Sequence, residues 1–270
     1  MACKNAIRTQ INEVEASKVF EAATVTENKV NTVPERLLFG VDSKIQANDV
    51  LQNNITVFEW AVRNKIYPGF WGRNLLGENC LTKDEIEFLH SKACKIAAIY
   101  NIVDAKETEE QGKITARKID IAAMELGIPA GTAIFLEIGD NENITTDYMR
   151  GFAEGLIDEG FTPAFKANTD AMFGFDREFS RGLQTDKEIF EKCLVWAVAP
   201  SLAEYDRMTT THLIHPDNWL PYAPSGITRN DIAVWQYGKE CHPINDDAGV
   251  ETTFNVNLVR NEQIIIDKMF

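Results

Sequence analysis

The chain has 270 residues, 44% of them hydrophobic and 25% charged, a composition that can bury a sizeable core and excludes a mainly disordered protein. With 27 basic against 41 acidic residues the net charge is -14, a field that repels phosphate backbones and anionic surfaces, so nucleic acid is not expected as a partner. Five cysteines, Cys3, Cys80, Cys94, Cys193 and Cys241, form no CxxC pair and argue against a disulfide framework.

Residues 1 to about 33 stand apart. Ile7, Ile11, Val14, Val19 and Phe20 recur at roughly helical spacing, and the polar run Thr24 to Thr32 follows. This predicts a helical N-terminal extension and linker, either docked on the remainder or serving as a partner-binding arm. No signal-peptide core follows Met1, so the chain is expected to be cytoplasmic as encoded, or released by a route without a signal peptide. No apolar run reaches the roughly 18 residues of a membrane span, so membrane insertion is not expected either.

From residue 34 to 270, strand-like and helix-like segments alternate, and this whole stretch is expected to form one domain. Leu37 to Asp42 is the first predicted strand, with a helix over about Ala47 to Asn64 after it. Ile66 to Trp71 is the second strand, and Thr82-Lys83-Asp84-Glu85 is a capping box for the helix through Leu89. Lys95 to Asn101 is the third. A helix opens at the capping box Thr108-Glu109-Glu110-Gln111 and stops at Gly127, with Pro129 beyond. The strongly apolar run Thr132 to Asp140 is the fourth strand. Thr145 or Thr146 caps the next helix, which ends at Gly160. Thr162 to Ala167 is the fifth strand, Thr185-Asp186-Lys187-Glu188 caps a short helix, and Leu194 to Ala199 is the sixth. His212-Leu213-Ile214 is a poor seventh among Pro216, Pro221 and Pro224, and Ile232 to Tyr237 is the eighth. Such alternation, with no dinucleotide fingerprint, predicts an α/β fold: a (β/α)8 TIM-type barrel, irregular around the fifth to seventh strands.

In such a barrel chemistry belongs at the C-terminal ends of the strands, where Asp42, Arg73, Asn101, Glu137, Asn168 and Trp235-Gln236-Tyr237 fall. Strand alternation refines this. If Glu137 points into the mouth, Phe135 and Ala133 point in as well, while Ile134, Leu136 and Ile138 face the helices. Gly139 is then the next inward position, and Asp140 turns inward only if the strand has already ended. Asp42 and Glu137 supply the two acids glycoside hydrolysis uses, one protonated and one ionised. Trp71, Tyr100, Trp196, Trp235 and Tyr237 are suited to lining a groove and stacking on sugar faces. The alternative is that the acids cap backbone amides and the aromatics fill the core. His212, His215, Cys241 and His242 match no closed zinc set, and there is no P-loop, GxGxxG or GxSxG, so neither metal nor cofactor is expected.

Taken in order, Phe39-Gly40-Val41-Asp42-Ser43, Phe70 to Asn74, Ala133 to Glu137, Val195-Trp196-Ala197, Val234-Trp235-Gln236-Tyr237 and Phe254-Asn255-Val256-Asn257-Leu258 resemble the family 25 glycoside hydrolases. The similarity extends to the glycoside-hydrolase-like bacterial barrels related to them, and it covers about Pro34 to Leu258. The resemblance implies a lysozyme-like muramidase groove for a cell-wall polysaccharide or peptidoglycan fragment. It places the family's first-strand acid at Asp42 and the first acid of its Asp-x-Glu at Glu137. It also places the catalytic Glu at Gly139 and a further Asp at Asn255, so the acid set is incomplete, and Asp140 or Glu142 would have to substitute. The expected catalytic residues are Glu137, Asp42 and Asp140; the expected substrate-binding residues are Trp71, Arg73, Tyr100, Asn168, Trp196, Trp235, Gln236 and Tyr237. Two alternatives stand beside the enzyme: an inactive barrel that binds glycan or a protein partner, and a different hydrolytic chemistry at the same strand ends.

Overall fold

A computed structural model describes residues 37–52, 54–101, 107–140, 142–201, 207–208, 219–243 and 253–270. The expected extension over 1–33, the seventh strand at 212–214 and the side chains of His212, His215 and His242 lie outside the described residues. Leu37–Phe270 forms one compact unit.

Six strands run parallel in chain order: β1 (Leu38–Asp42), β2 (Phe70–Asn74), β3 (Lys95–Asn101), β4 (Ala133–Ile138), β5 (Thr162–Asn168) and β6 (Leu194–Val198). A two-residue strand, β7 (Arg207–Met208), pairs with the far end of β8 (Ile232–Pro243). β8 adds in parallel beside β6, and β9 (Phe254–Val259) lies antiparallel to both β8 and β1. These pairings close an eight-stranded ring, the expected TIM-like α/β barrel.

Its last quarter departs from the (β/α)8 pattern. The run Ile232–Tyr237 is the seventh member of the ring, and the eighth is Phe254–Val259, which returns as a hairpin partner and so runs antiparallel. Its alternation Phe-Asn-Val-Asn-Leu-Val has the period of a strand, with Asn255 and Asn257 on the inward face and Phe254, Val256 and Leu258 packed toward the helices.

The helices follow their capping residues. α1 (Val57–Arg63) starts at the Thr56–Glu59 capping box, ten residues later than the expected start near Ala47. Thr82 caps α2 (Lys83–Ser91), and Thr108 with Gln111 boxes α3 (Glu109–Leu126), which Gly127 ends at φ 74°. Of the two candidate threonines it is Thr145 whose hydroxyl accepts from Tyr148 N–H, at the start of α4 (Thr146–Asp158). The stretch expected to be irregular after β5 holds α5 (Gly174–Thr185), anchored by buried Phe175 and Phe179. Thr185 therefore ends a helix rather than capping the short α6 (Lys187–Phe190). The last helix is α7 (Glu262–Lys268). No helix of the described residues is long and apolar enough to cross a membrane.

Two apolar layers result. Leu38, Phe70, Ile99, Phe135, Trp196 and Val259 fill the barrel interior, while Trp71, Leu136, Phe165, Trp235 and Leu258 sit between strands and helices. Gly40 makes the interior fit: a Cβ there would meet the Phe70 ring at 2.2 Å. The second strand begins at Phe70, later than the expected Ile66, which is buried in the segment leading into it.

Candidate active site

Above the apolar plug, the inward positions of the strand ends turn polar. Asp42, Asn101, Glu137, Asn168 and Asn255 succeed Gly40, Ile99, Phe135, Lys166 and Asn257 at period two. They line a cavity of about 310 Å³ at the mouth, to which Gly139, Asp140, Glu142, Gln236, Lys44 and Lys239 also contribute.

Lys166 organises this mouth. Its side chain is 1% exposed, and its ammonium lies 2.7 Å from Asp42 Oδ2 and 3.0 Å from Glu137 Oε1. Glu137 is its cross-strand neighbour on β4, whereas Asp42 reaches it across the barrel. The ammonium also sits 4.8 Å above the Trp196 ring. Burial alone would lower the Lys166 pKa, but the two carboxylates outweigh it and the pKa is raised.

Asp42 accepts two further hydrogen bonds, from Asn255 Nδ2 at 2.7 Å and Asn257 Nδ2 at 2.8 Å. Asn257 is held in turn by Trp196 Nε1, which donates to its Oδ1 at 3.0 Å. Gly72 leaves the space for this cluster, since a Cβ there would lie 2.6 Å from Asp42 Cβ and 3.2 Å from the Trp196 ring.

Glu137 is the more open of the two acids, its side chain 30% exposed. Asn101 Nδ2 donates to its Oε2 at 3.2 Å. Lys166 above all, with smaller help from Lys44 and Asn101, holds the Glu137 carboxyl below the usual range against the opposing effect of burial. Beyond it the strand ends in a turn: Glu142 N–H donates to Gly139 O at 3.0 Å, and Gly139 N–H donates to Glu142 Oε2 at 2.8 Å. Asp140 is exposed at the rim. Gln236 is 2% exposed, and its Oε1 has no hydrogen-bond partner among the described residues.

The structure thus brings Asp42, Glu137, Asp140, Asn168 and Gln236 together, with Trp196 as the floor beneath them. It takes the other expected ligand-binding residues away from the mouth. Trp71, Arg73, Tyr100, Trp235 and Tyr237 each alternate with an inward residue and therefore face the helices. Trp71 packs on Phe58 and Phe254, Tyr100 is buried in the outer layer, and Trp235 Nε1 donates to Ala199 O at 2.8 Å. Tyr237 is buried beside Trp235. Arg73 is 1% exposed and is bound to Glu85, 2.9 Å away, and to the carbonyls of Ser43 and Asn79. Burial pushes the Glu85 carboxyl up, with Arg73 opposing it.

Asn101, expected at the strand ends, is part of the site, and Lys166 and Asn257 complete it without having been among its expected members. The signal for Lys166 is a lysine at an inward position of β5, two residues past Ala164, where only a partnered charge is tolerated. Among the described residues no three His, Cys, Asp or Glu side chains are grouped as metal ligands.

No protein-family model matches the chain, and a comparison with curated proteins gives no match. Solved structures do resemble it. An uncharacterized protein of B. stearothermophilus is 23% identical, aligns over 86% of this chain and 100% of its own, and superposes with a TM-score of 0.68. The catalytic domain of endolysin ply40, from bacteriophage P40 of Listeria monocytogenes, is 13% identical over 87% of this chain and 98% of its own, with a TM-score of 0.51. A family GH25 lysozyme from Aspergillus fumigatus is 11% identical over 86% of this chain and 98% of its own, with a TM-score of 0.46. This chain shares its fold, the α/β barrel expected from the sequence, with the B. stearothermophilus protein and the endolysin ply40 catalytic domain.

Proposed function

We propose that the protein acts on a cell-wall type polysaccharide, peptidoglycan-like, and hydrolyses its glycosidic bonds through the carboxylates of the barrel mouth. The observation that carries this reading is the pair Glu137 and Asp42, set on opposite sides of one lysine in a polar cavity at the C-terminal strand ends. Glu137, half-open and held ionised by Lys166, is placed to stabilise positive charge developing on a sugar ring. Asp42, with three donors on its two oxygens, fixes Lys166. The fold shared with an endolysin catalytic domain and the ordered motifs of the muramidase family support the substrate class.

A second reading is a glycan-binding barrel without turnover. It is favoured by Gly139 and Asn255 standing at positions where the resembling family carries acids, Asn255 donating to Asp42 instead of carrying charge. Incubation with purified bacterial cell walls and chitin-type oligosaccharides separates the two. New reducing ends from the wild type, lost in Glu137→Gln, support the hydrolase. Wall binding without release supports the binding module, and neither binding nor release contradicts both.

A further inference from the structure

The charged groups of the mouth are mainly anionic. Asp42, Glu137, Asp140, Glu142 and Glu240 line one cavity, with Lys44 and Lys239 on its wall and Lys166 beneath it, so five carboxylates meet three ammonium groups. Two of those cations act on Glu137: Lys166 from 3.0 Å, and Lys44 as a smaller influence on the same carboxyl. Asp140 and Glu240, by contrast, form no ion pair among the described residues. The β8–β9 hairpin sets Glu240 at the rim. Its ladder shifts register between Gly238 and Cys241, Glu240 takes φ 49°, and the Glu240 N–H donates to Asn255 Oδ1 at 2.9 Å.

A second observation in the same cavity points to a ligand. Gln236 lines it, is 2% exposed, and has a buried amide oxygen with no hydrogen-bond partner among the described residues. A buried acceptor left unpaired is costly, so a ligand that fits this cavity is one that donates hydrogen bonds.

We propose that the mouth selects a glycan whose amino groups are free and protonated, a de-N-acetylated amino sugar, over its N-acetylated counterpart. This names the substrate class of the site and rests on the glycan reading given above. A ring hydroxyl donates to Gln236 Oε1, and the ammonium carried by the sugar meets the Asp140 and Glu240 carboxylates at the rim. An ammonium brings three N–H donors and a charge, whereas an acetamido group brings one N–H donor and no charge. Carboxylates spread round a rim also suit a chain that carries its charges on separate rings better than they suit a metal ion, and among the described residues no three acids are grouped as metal ligands. At longer range the net charge of -14 attracts a polycation.

Isothermal titration calorimetry of the full chain with a glucosamine tetramer and an N-acetylglucosamine tetramer tests the selection, at about pH 6, where carboxylates are ionised and the amines protonated. At low salt the glucosamine tetramer should bind about fivefold tighter or more, the upper value for one exposed ion pair. That ratio should fall toward one in about 1 M salt, where charges are screened within about 3 Å, and a ratio unmoved by salt counts against the charge pairing. A smaller ratio at low salt, or tighter binding of the acetylated tetramer, overturns the selection and leaves the glycan reading standing. Binding of neither tetramer overturns both. The double substitution Asp140→Asn with Glu240→Gln then locates the effect. The ratio should fall toward one in the folded variant, and a ratio kept at the wild-type value assigns the preference to the acidic surface at large and overturns the rim assignment. Tetralysine controls for charge alone: if it binds as tightly as the glucosamine tetramer, the role given to the sugar ring and Gln236 is overturned. Where the double variant does not fold, the wild-type comparison of the two tetramers and tetralysine decides the proposal.

Discussion

Replacing Lys166 by Met removes the buried cation that joins Asp42 and Glu137 at the barrel mouth while keeping a side chain of similar length. In the wild type the ammonium joins Asp42 at 2.7 Å and Glu137 at 3.0 Å, with the lysine 1% exposed and the Asp42 side chain 8% exposed. Without it, Asp42 keeps two amide donors among the described residues for a buried carboxylate. Removing one partner of a buried pair costs about 3–5 kcal/mol, because the remaining charge is left uncompensated. Glu137 is the smaller part of that cost, since solvent screens a side chain that is 30% exposed. At about 2–4 °C per kcal/mol for a domain of this size, the midpoint should fall by roughly 6–20 °C. Urea unfolding followed by circular dichroism measures the change directly. The same substitution in an Asp42→Asn background should cost markedly less, because the stranded charge is already gone. A loss below about 1 kcal/mol in the wild-type background, or an equal loss in both, would refute the view that Lys166 neutralises a buried carboxylate.

Three further outcomes are expected. The Glu137 carboxyl is held below its usual range, so it contributes stability above the unfolded value of about 4.3 that is lost as pH falls through its lower folded value. Urea midpoints should therefore decline below about pH 4, less steeply in Glu137→Gln, and equal slopes would contradict the assignment. Arg73→Met should destabilise by about 3–5 kcal/mol through the stranded Glu85 yet leave wall binding by the folded protein intact; a selective loss of binding would return Arg73 to the site. Gly40→Ala should cost about 1–3 kcal/mol or more by driving a methyl into the Phe70 ring, and a neutral result in urea would show that the interior has slack.

The barrel was legible because its first six strands are apolar runs bounded by capping signals, and Thr108 and Thr145 open the helices expected of them. The closing strand was harder to read. Phe254–Val259 alternates because it carries two mouth asparagines between outward apolar residues, which marks a strand but not its antiparallel direction. In the site, the inward position of Glu137 followed from alternation on β4, and the same rule applied to β2 and β8 would have turned Trp71, Arg73, Trp235 and Tyr237 outward. Aromatic residues at strand ends suggested a sugar platform by their chemistry; their parity assigned them to the core. Lys166 was hidden for a different reason. A lysine in a strand reads as a surface residue until the ring closes and brings Asp42, far away in the sequence, to within 2.7 Å of it.

The central claim is that this mouth is where the glycan binds. A crystal structure of Glu137→Gln grown with a peptidoglycan disaccharide tests it most directly. The account expects one sugar ring inside the cavity, with a hydroxyl about 3 Å from Gln236 Oε1 and the glycosidic bond beside the side chain at position 137. A disaccharide bound elsewhere on the barrel, with the mouth between residues 137 and 236 left to solvent, would contradict it.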